Sequence, residues 1–163
     1  MNWRKIDEAW RSFAANNNWD LQFDEKPYLA GVKVNYRINF TDNLGKTIYS
    51  GFINKSTSGY NLYKMDVETE LFNGLISEEI EVKRKNRIAQ IFRLSNSSES
   101  MFNQQIEKCL ARINAVKIIM GPKILKMEFD FMPTNLEQLN LIEKVRIELT
   151  REKPASNIRQ PSP

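Results

Sequence analysis

The chain contains no histidine and a single cysteine, and these two gaps exclude more chemistry than any motif in it defines. Without histidine there is no Ser-His-Asp or Cys-His relay, no side chain that titrates near neutrality when unperturbed, and no histidine-containing zinc site. One cysteine excludes an internal disulfide and an all-thiolate zinc or iron–sulfur cage. Cys109 falls on the apolar face of a helical stretch, the place of a small buried hydrophobe rather than a reactive thiol. Glycine is sparse as well, six in 163 residues. None of the six belongs to a phosphate-binding loop, a dinucleotide fingerprint or a nucleophile elbow, and the EF-hand pattern is missing. No run approaches the roughly 20 apolar residues of a membrane span, and Met1 to Glu8 lack the apolar core of a signal peptide, so the expected compartment is the cytoplasm.

What is present describes a globular domain. With 41% hydrophobic residues, a chain of this length buries enough surface for one core without staples. Residues 1–150 are expected to form a single α+β domain. Residues 151–163, with Pro154, Pro161 and Pro163 among polar and basic side chains, form a tail too poor in apolar groups to order itself. The net charge of +4 permits contact with nucleic acid without demanding it.

Trp3, Ile6, Trp10 and Phe13 recur at helical spacing and predict an amphipathic N-terminal helix that stops at Asn16-Asn17-Asn18. Trp19, Leu21 and Phe23 alternate briefly, and Asp24-Glu25-Lys26-Pro27 is expected to break that strand. Val32, Val34, Tyr36, Ile38 and Phe40 then mark one face of a clean strand that returns, after a loop at Thr41 to Lys46, through Thr47 to Ile53. Tyr63, Met65, Val67 and Leu71 alternate with Lys64, Asp66, Glu68 and Glu70. Ile80 to Val82 and Ile88 to Leu94 are expected to pair as a hairpin with Lys83 to Arg87 at its tip.

The remainder reads as helix, hairpin, helix. Phe102, Ile106, Cys109, Leu110 and Ile113 share a helical face. Val116, Ile118 and Met120, and then Leu125, Met127, Phe129 and Phe131, alternate as strands around Gly121-Pro122. Thr134 and Glu137 have capping-box spacing ahead of a helix whose stripe is Leu136, Leu139, Ile142, Val145 and Leu149. The expected fold is α+β, a mainly antiparallel sheet with an N-terminal helix and a C-terminal helix–hairpin–helix unit, the helices packed on one sheet face.

No cofactor or metal is expected, and no catalytic residue stands out. The leading expectation is a non-enzymatic module that binds protein, either another chain or a second copy of itself, with Trp3, Trp10 and Phe13 as candidate contact residues. An alternative is a nucleic-acid-associated protein using Lys83, Arg84, Lys85 and Arg87 at the hairpin tip. A carboxylate or metal-dependent enzyme built on Asp66, Glu68 and Glu70, or on Glu128 and Asp130, ranks lower, because charges alternating with apolar residues are also what a solvated sheet face looks like.

Overall fold

A computed structural model describes residues 3–28, 31–56, 61–74, 76, 78–84 and 101–151. In chain order the elements are α1 (Trp3–Asn16), β1 (Asp20–Tyr28), β2 (Gly31–Thr41), β3 (Gly45–Ser56), β4 (Asn61–Leu71), β5 (Ile80–Lys83), α2 (Met101–Arg112), β6 (Lys117–Met120), β7 (Ile124–Phe129) and α3 (Leu136–Arg151). The seven strands form one sheet in the order β1-β2-β3-β4-β7-β6-β5, and every pairing is antiparallel. The chain is therefore α+β with an antiparallel sheet.

Alternation decides which side of each strand is buried. Val34, Tyr36 and Ile38 of β2, Tyr49 and Ile53 of β3, Met65 and Val67 of β4, Ile118 and Met120 of β6, and Leu125, Met127 and Phe129 of β7 join the buried stripes of the three helices in a single core. Aromatic rings seat α1: Trp10 lies 5.5 Å from Tyr36 and Phe13 lies 5.3 Å from Tyr49 between centroids. Gly51 makes this seat. A Cβ there would stand 2.5 Å from Met132 Sδ and 3.0 Å from Trp10 Cζ2, so the absence of a side chain is what lets both reach the sheet.

The helix ends are written locally. Asn18 and Asn114 both have φ of 54°, a left-handed conformation that asparagine tolerates. After each helix the same pair of bonds closes the last turn: Asn18 and Trp19 donate to Ala15 and Ala14, and Asn114 and Ala115 donate to Ala111 and Leu110, which is the Schellman pattern. At the start of α3 the capping pair sits one residue later than its sequence spacing implies. Asn135 Oδ1 accepts from the Gln138 amide, and Gln138 Oε1 accepts from the Thr134 amide, each at 2.9 Å. Asparagine is at least as good a cap as threonine and glutamine serves as well as glutamate, so the neighbouring register is chosen at no cost.

Two strands differ from expectation. β1 does not break at Asp24-Glu25-Lys26-Pro27 but continues in register to Tyr28, paired with Gly31. It is an edge strand, where a missing proline N–H and solvated charges are tolerated. β5 pairs with β6, Ile80 opposite Met120 and Lys83 opposite Lys117. The segment Ile88 to Leu94, expected to be its hairpin partner, lies outside the described residues, as do the Phe102 side chain and residues 152–163. Arg151, placed in the tail by composition, is the last residue of α3.

Candidate functional site

Among the described residues the most heavily bonded polar side chain belongs to no sequence motif. Arg146 occupies a stripe position of α3, four residues after Ile142 and three before Leu149, and is fully buried. Its guanidinium makes four hydrogen bonds: Nε to Glu143 Oε2 at 2.8 Å, Nη1 to Thr47 Oγ1 at 3.1 Å, and Nη2 to Asp42 Oδ2 at 2.6 Å and Glu143 Oε1 at 2.7 Å. Tyr49 donates its hydroxyl to Glu143 Oε2 at 2.6 Å, Thr47 and Thr69 share a bond across β3 and β4, and the Phe40 ring lies 5.2 Å from the guanidinium carbon. Asp42 also closes the β2–β3 turn, accepting from the Leu44 and Gly45 amides. One turn, two strands and a helix thus meet on one cation. Its bonds are made inside the chain, so the cluster ties α3 to the β2–β3 turn and to β3.

Two groups of this cluster, with Glu128 and Tyr36 elsewhere in the sheet, bear on how the fold responds to pH. Burial works against the Asp42 carboxylate, but the bond and charge of Arg146 with the two turn amides hold its pKa below the ordinary value. Burial also opposes charge on Glu128, and Lys117 and Lys126 outweigh it in the same way. Burial pushes the Tyr49 hydroxyl well above the usual range, helped by the Glu143 carboxylate, and pushes Tyr36 up to about 12. A depressed carboxylate contributes stability above its unfolded pKa that is lost as pH falls through the folded one. A raised tyrosine contributes stability below its unfolded pKa that is lost as pH rises. With no histidine to titrate between them, urea midpoints are expected to stay level from about pH 5 to pH 8, to drop below about pH 4 and to drop again above about pH 10. A step in stability inside the plateau would contradict this assignment of the titrating groups.

Of the candidate contact residues, Trp10 and Phe13 are fully buried in the core, while Trp3 is 44% exposed with Lys55 Nζ 4.1 Å from its ring. Of the basic candidates, Lys83 pairs with Glu81 at 2.6 Å, and Arg84 binds Asp130 at 2.6 Å and Asn114 at 3.0 Å. Lys85 and Arg87 lie outside the described residues. Asp66 sits opposite Glu128 in the β4–β7 register, yet Glu128 is already held by Lys117 at 3.0 Å and Lys126 at 3.4 Å. Among the described residues no group of three acidic, cysteine or histidine side chains is placed to hold a metal ion.

The side of the sheet away from the core presents a different surface. Its residues are the alternate positions of each strand: Lys33, Asn35 and Arg37 of β2, Ile48, Ser50 and Phe52 of β3, and Leu62, Lys64, Asp66, Glu68 and Glu70 of β4. Two kinds of group are out of place on a solvated face. Ile48 and Phe52 are half-buried there and Leu62 is 58% exposed. Asn54 Oδ1 and Asp66 Oδ1 are buried atoms with no hydrogen-bond partner. Lys33 Nζ lies 4.5 Å from the Phe52 ring. The signal was in the sequence, because Thr47 to Ile53 is apolar at both parities and only one parity can face a core.

Among the described residues no helix is long and apolar enough to cross a membrane. Compared with protein-family models, with curated proteins and with solved structures, the chain has no match.

Proposed function

We propose that the chain is a non-enzymatic protein-interaction module that meets its partner with the outer face of the sheet. This reading takes α2, β6, β7 and α3 as one helix–hairpin–helix unit laid with α1 on the inner face, leaving the outer face available. The observation that carries it is Ile48, Phe52 and Leu62 on a face that a one-sided antiparallel sheet would keep polar.

The edges are poorer candidates. β1 carries Asp24, Glu25, Lys26 and Pro27 in its second half, and β5 is four residues long with Glu81 and Lys83 outward, which are the devices that discourage edge pairing. A phosphate backbone is a poorer occupant than a polypeptide, because Asp66, Glu68 and Glu70 run down the middle of the face, and Lys83 and Arg84 already hold carboxylates.

The test is affinity capture with the wild-type chain, with Phe52→Asp and with a control, Asn140→Asp, on an exposed position of α3. A polypeptide retained by wild type and control after nuclease treatment but lost from Phe52→Asp, with the melting temperature unchanged, is the expected result. Retention that survives Phe52→Asp would remove the outer face from consideration, and loss on nuclease treatment alone would favour nucleic acid.

A further inference from the structure

Beneath α1, on the opposite side of the sheet from the outer face, three polar atoms are out of solvent and unmatched by the chain: Asp7 Oδ1, Trp10 Nε1 and the Tyr36 hydroxyl. The contacts of these side chains close into a ring. Asp7 Oδ2 accepts from Arg11 Nε at 2.8 Å, and the Arg11 guanidinium carbon lies 5.6 Å from the centre of the Phe23 ring. Phe23, the register neighbour of Tyr36, meets it edge-on at 5.4 Å between centroids, and Tyr36 meets Trp10 at 5.5 Å. Trp10 leads back to Asp7, because residues three apart share a helix face. The Asp7 charge also reaches the Tyr36 phenol, which burial and then that charge keep protonated.

From this ring we infer that the interface between α1 and β2 holds one internal water, bonded by all three atoms. The atoms differ in what they ask for. The indole N–H only donates, the carboxylate oxygen only accepts, and the phenol does either. A water accepts from Trp10, donates to Asp7 and makes its third bond with Tyr36 in whichever sense remains, and three bonds is the usual number for a water inside a protein. Other occupants fit worse. An indole N–H has no lone pair to offer a metal ion, and a carboxylate on the lining repels an anion. Trp10 and Tyr36 are 0% and 1% exposed, so the occupant is enclosed. The water makes the seating of α1 polar as well as aromatic, and it gives the free oxygen of Asp7 a donor where an unmatched one would oppose burial.

The test is water–proton cross-relaxation at the indole N–H groups of the nitrogen-15-labelled full-length chain, the Trp10 signal being the one that Trp10→Phe removes. Trp10 is expected to show a cross-peak at the water frequency with the sign of a long-lived contact, and Trp3, 44% exposed, to show none of that sign. The Tyr36 hydroxyl proton exchanges with solvent and can imitate such a peak, so two variants divide the cases. An internal water keeps the peak in Tyr36→Phe, where Asp7 and Trp10 still hold it, and loses it in Asp7→Leu, which removes the acceptor and fills the space. A relayed phenol signal does the reverse. Asp7→Asn, which retains an oxygen acceptor, should keep the peak. The absence of a long-lived peak in the wild-type chain, or its loss in Tyr36→Phe, overturns the assignment.

Discussion

Replacing Arg146 by alanine is expected to lower the folding free energy by about 3–5 kcal/mol, among the largest effects of any single substitution in this chain. The guanidinium balances two carboxylates, Asp42 and Glu143, and bonds Thr47. Removing it leaves a carboxylate oxygen of Asp42 and both of Glu143 partly buried without their cation, and that uncompensated charge costs more than the lost attraction. Arg146→Met separates the two contributions. It fills part of the same volume, so the fraction of the loss it recovers measures packing, and the remainder measures the stranded carboxylates. Arg146→Lys should recover little, since one ammonium cannot reproduce bonds directed from Nε, Nη1 and Nη2. Urea denaturation at pH 7 and again near pH 4 checks the cause. The penalty should shrink in acid as the Asp42 carboxylate, which Arg146 helps to hold below its ordinary pKa, takes up its proton, whereas a purely steric defect would be indifferent to pH.

The elements were largely legible in the sequence because their causes are local. Period two over Val32 to Phe40 and period 3.6 over Leu136 to Leu149 each follow from a single face seeking burial. Asn18 and Asn114 end helices through bonds made within six residues. Illegible features depend on segments far apart in the chain. Nothing in Ile80 to Lys83 specifies that it pairs with residues 117–120, because four alternating residues fit many neighbours equally well. The position of β1 at an edge is likewise a property of the sheet, and only that position makes Pro27 acceptable in a strand. Arg146 was half legible: a cation at a stripe position is conspicuous, but its partners Asp42 and Thr47 lie about a hundred residues earlier. The outer face was hidden by the habit of assigning every apolar residue in a strand to the core. Ile48 and Phe52 share a strand with Tyr49 and Ile53, and pleating forces the two pairs to opposite sides.

Trp10→Ala is expected to cost about 3–5 kcal/mol, while Trp3→Ala should cost no more than about 1 kcal/mol. The two tryptophans sit on the same stripe of α1, two helical turns apart, and periodicity alone cannot distinguish them. Their surroundings can. Trp10 is wholly buried against Tyr36 and over Gly51, so truncation leaves a cavity bounded by rings and by a strand that cannot move in to fill it. Trp3 lies in the first turn, nearly half in solvent, with a lysine over its ring. Trp10→Phe should be far milder than alanine, because it keeps most of the volume and deletes an indole N–H for which the chain offers no acceptor. Thermal melts of the three variants decide the role of the helix. If Trp10→Ala melts within a degree or two of wild type, α1 is not seated on the sheet as described. The expected order, alanine at 10 far below phenylalanine at 10 and alanine at 3, makes the stripe part of the core and leaves Trp3 as its one residue open to a partner.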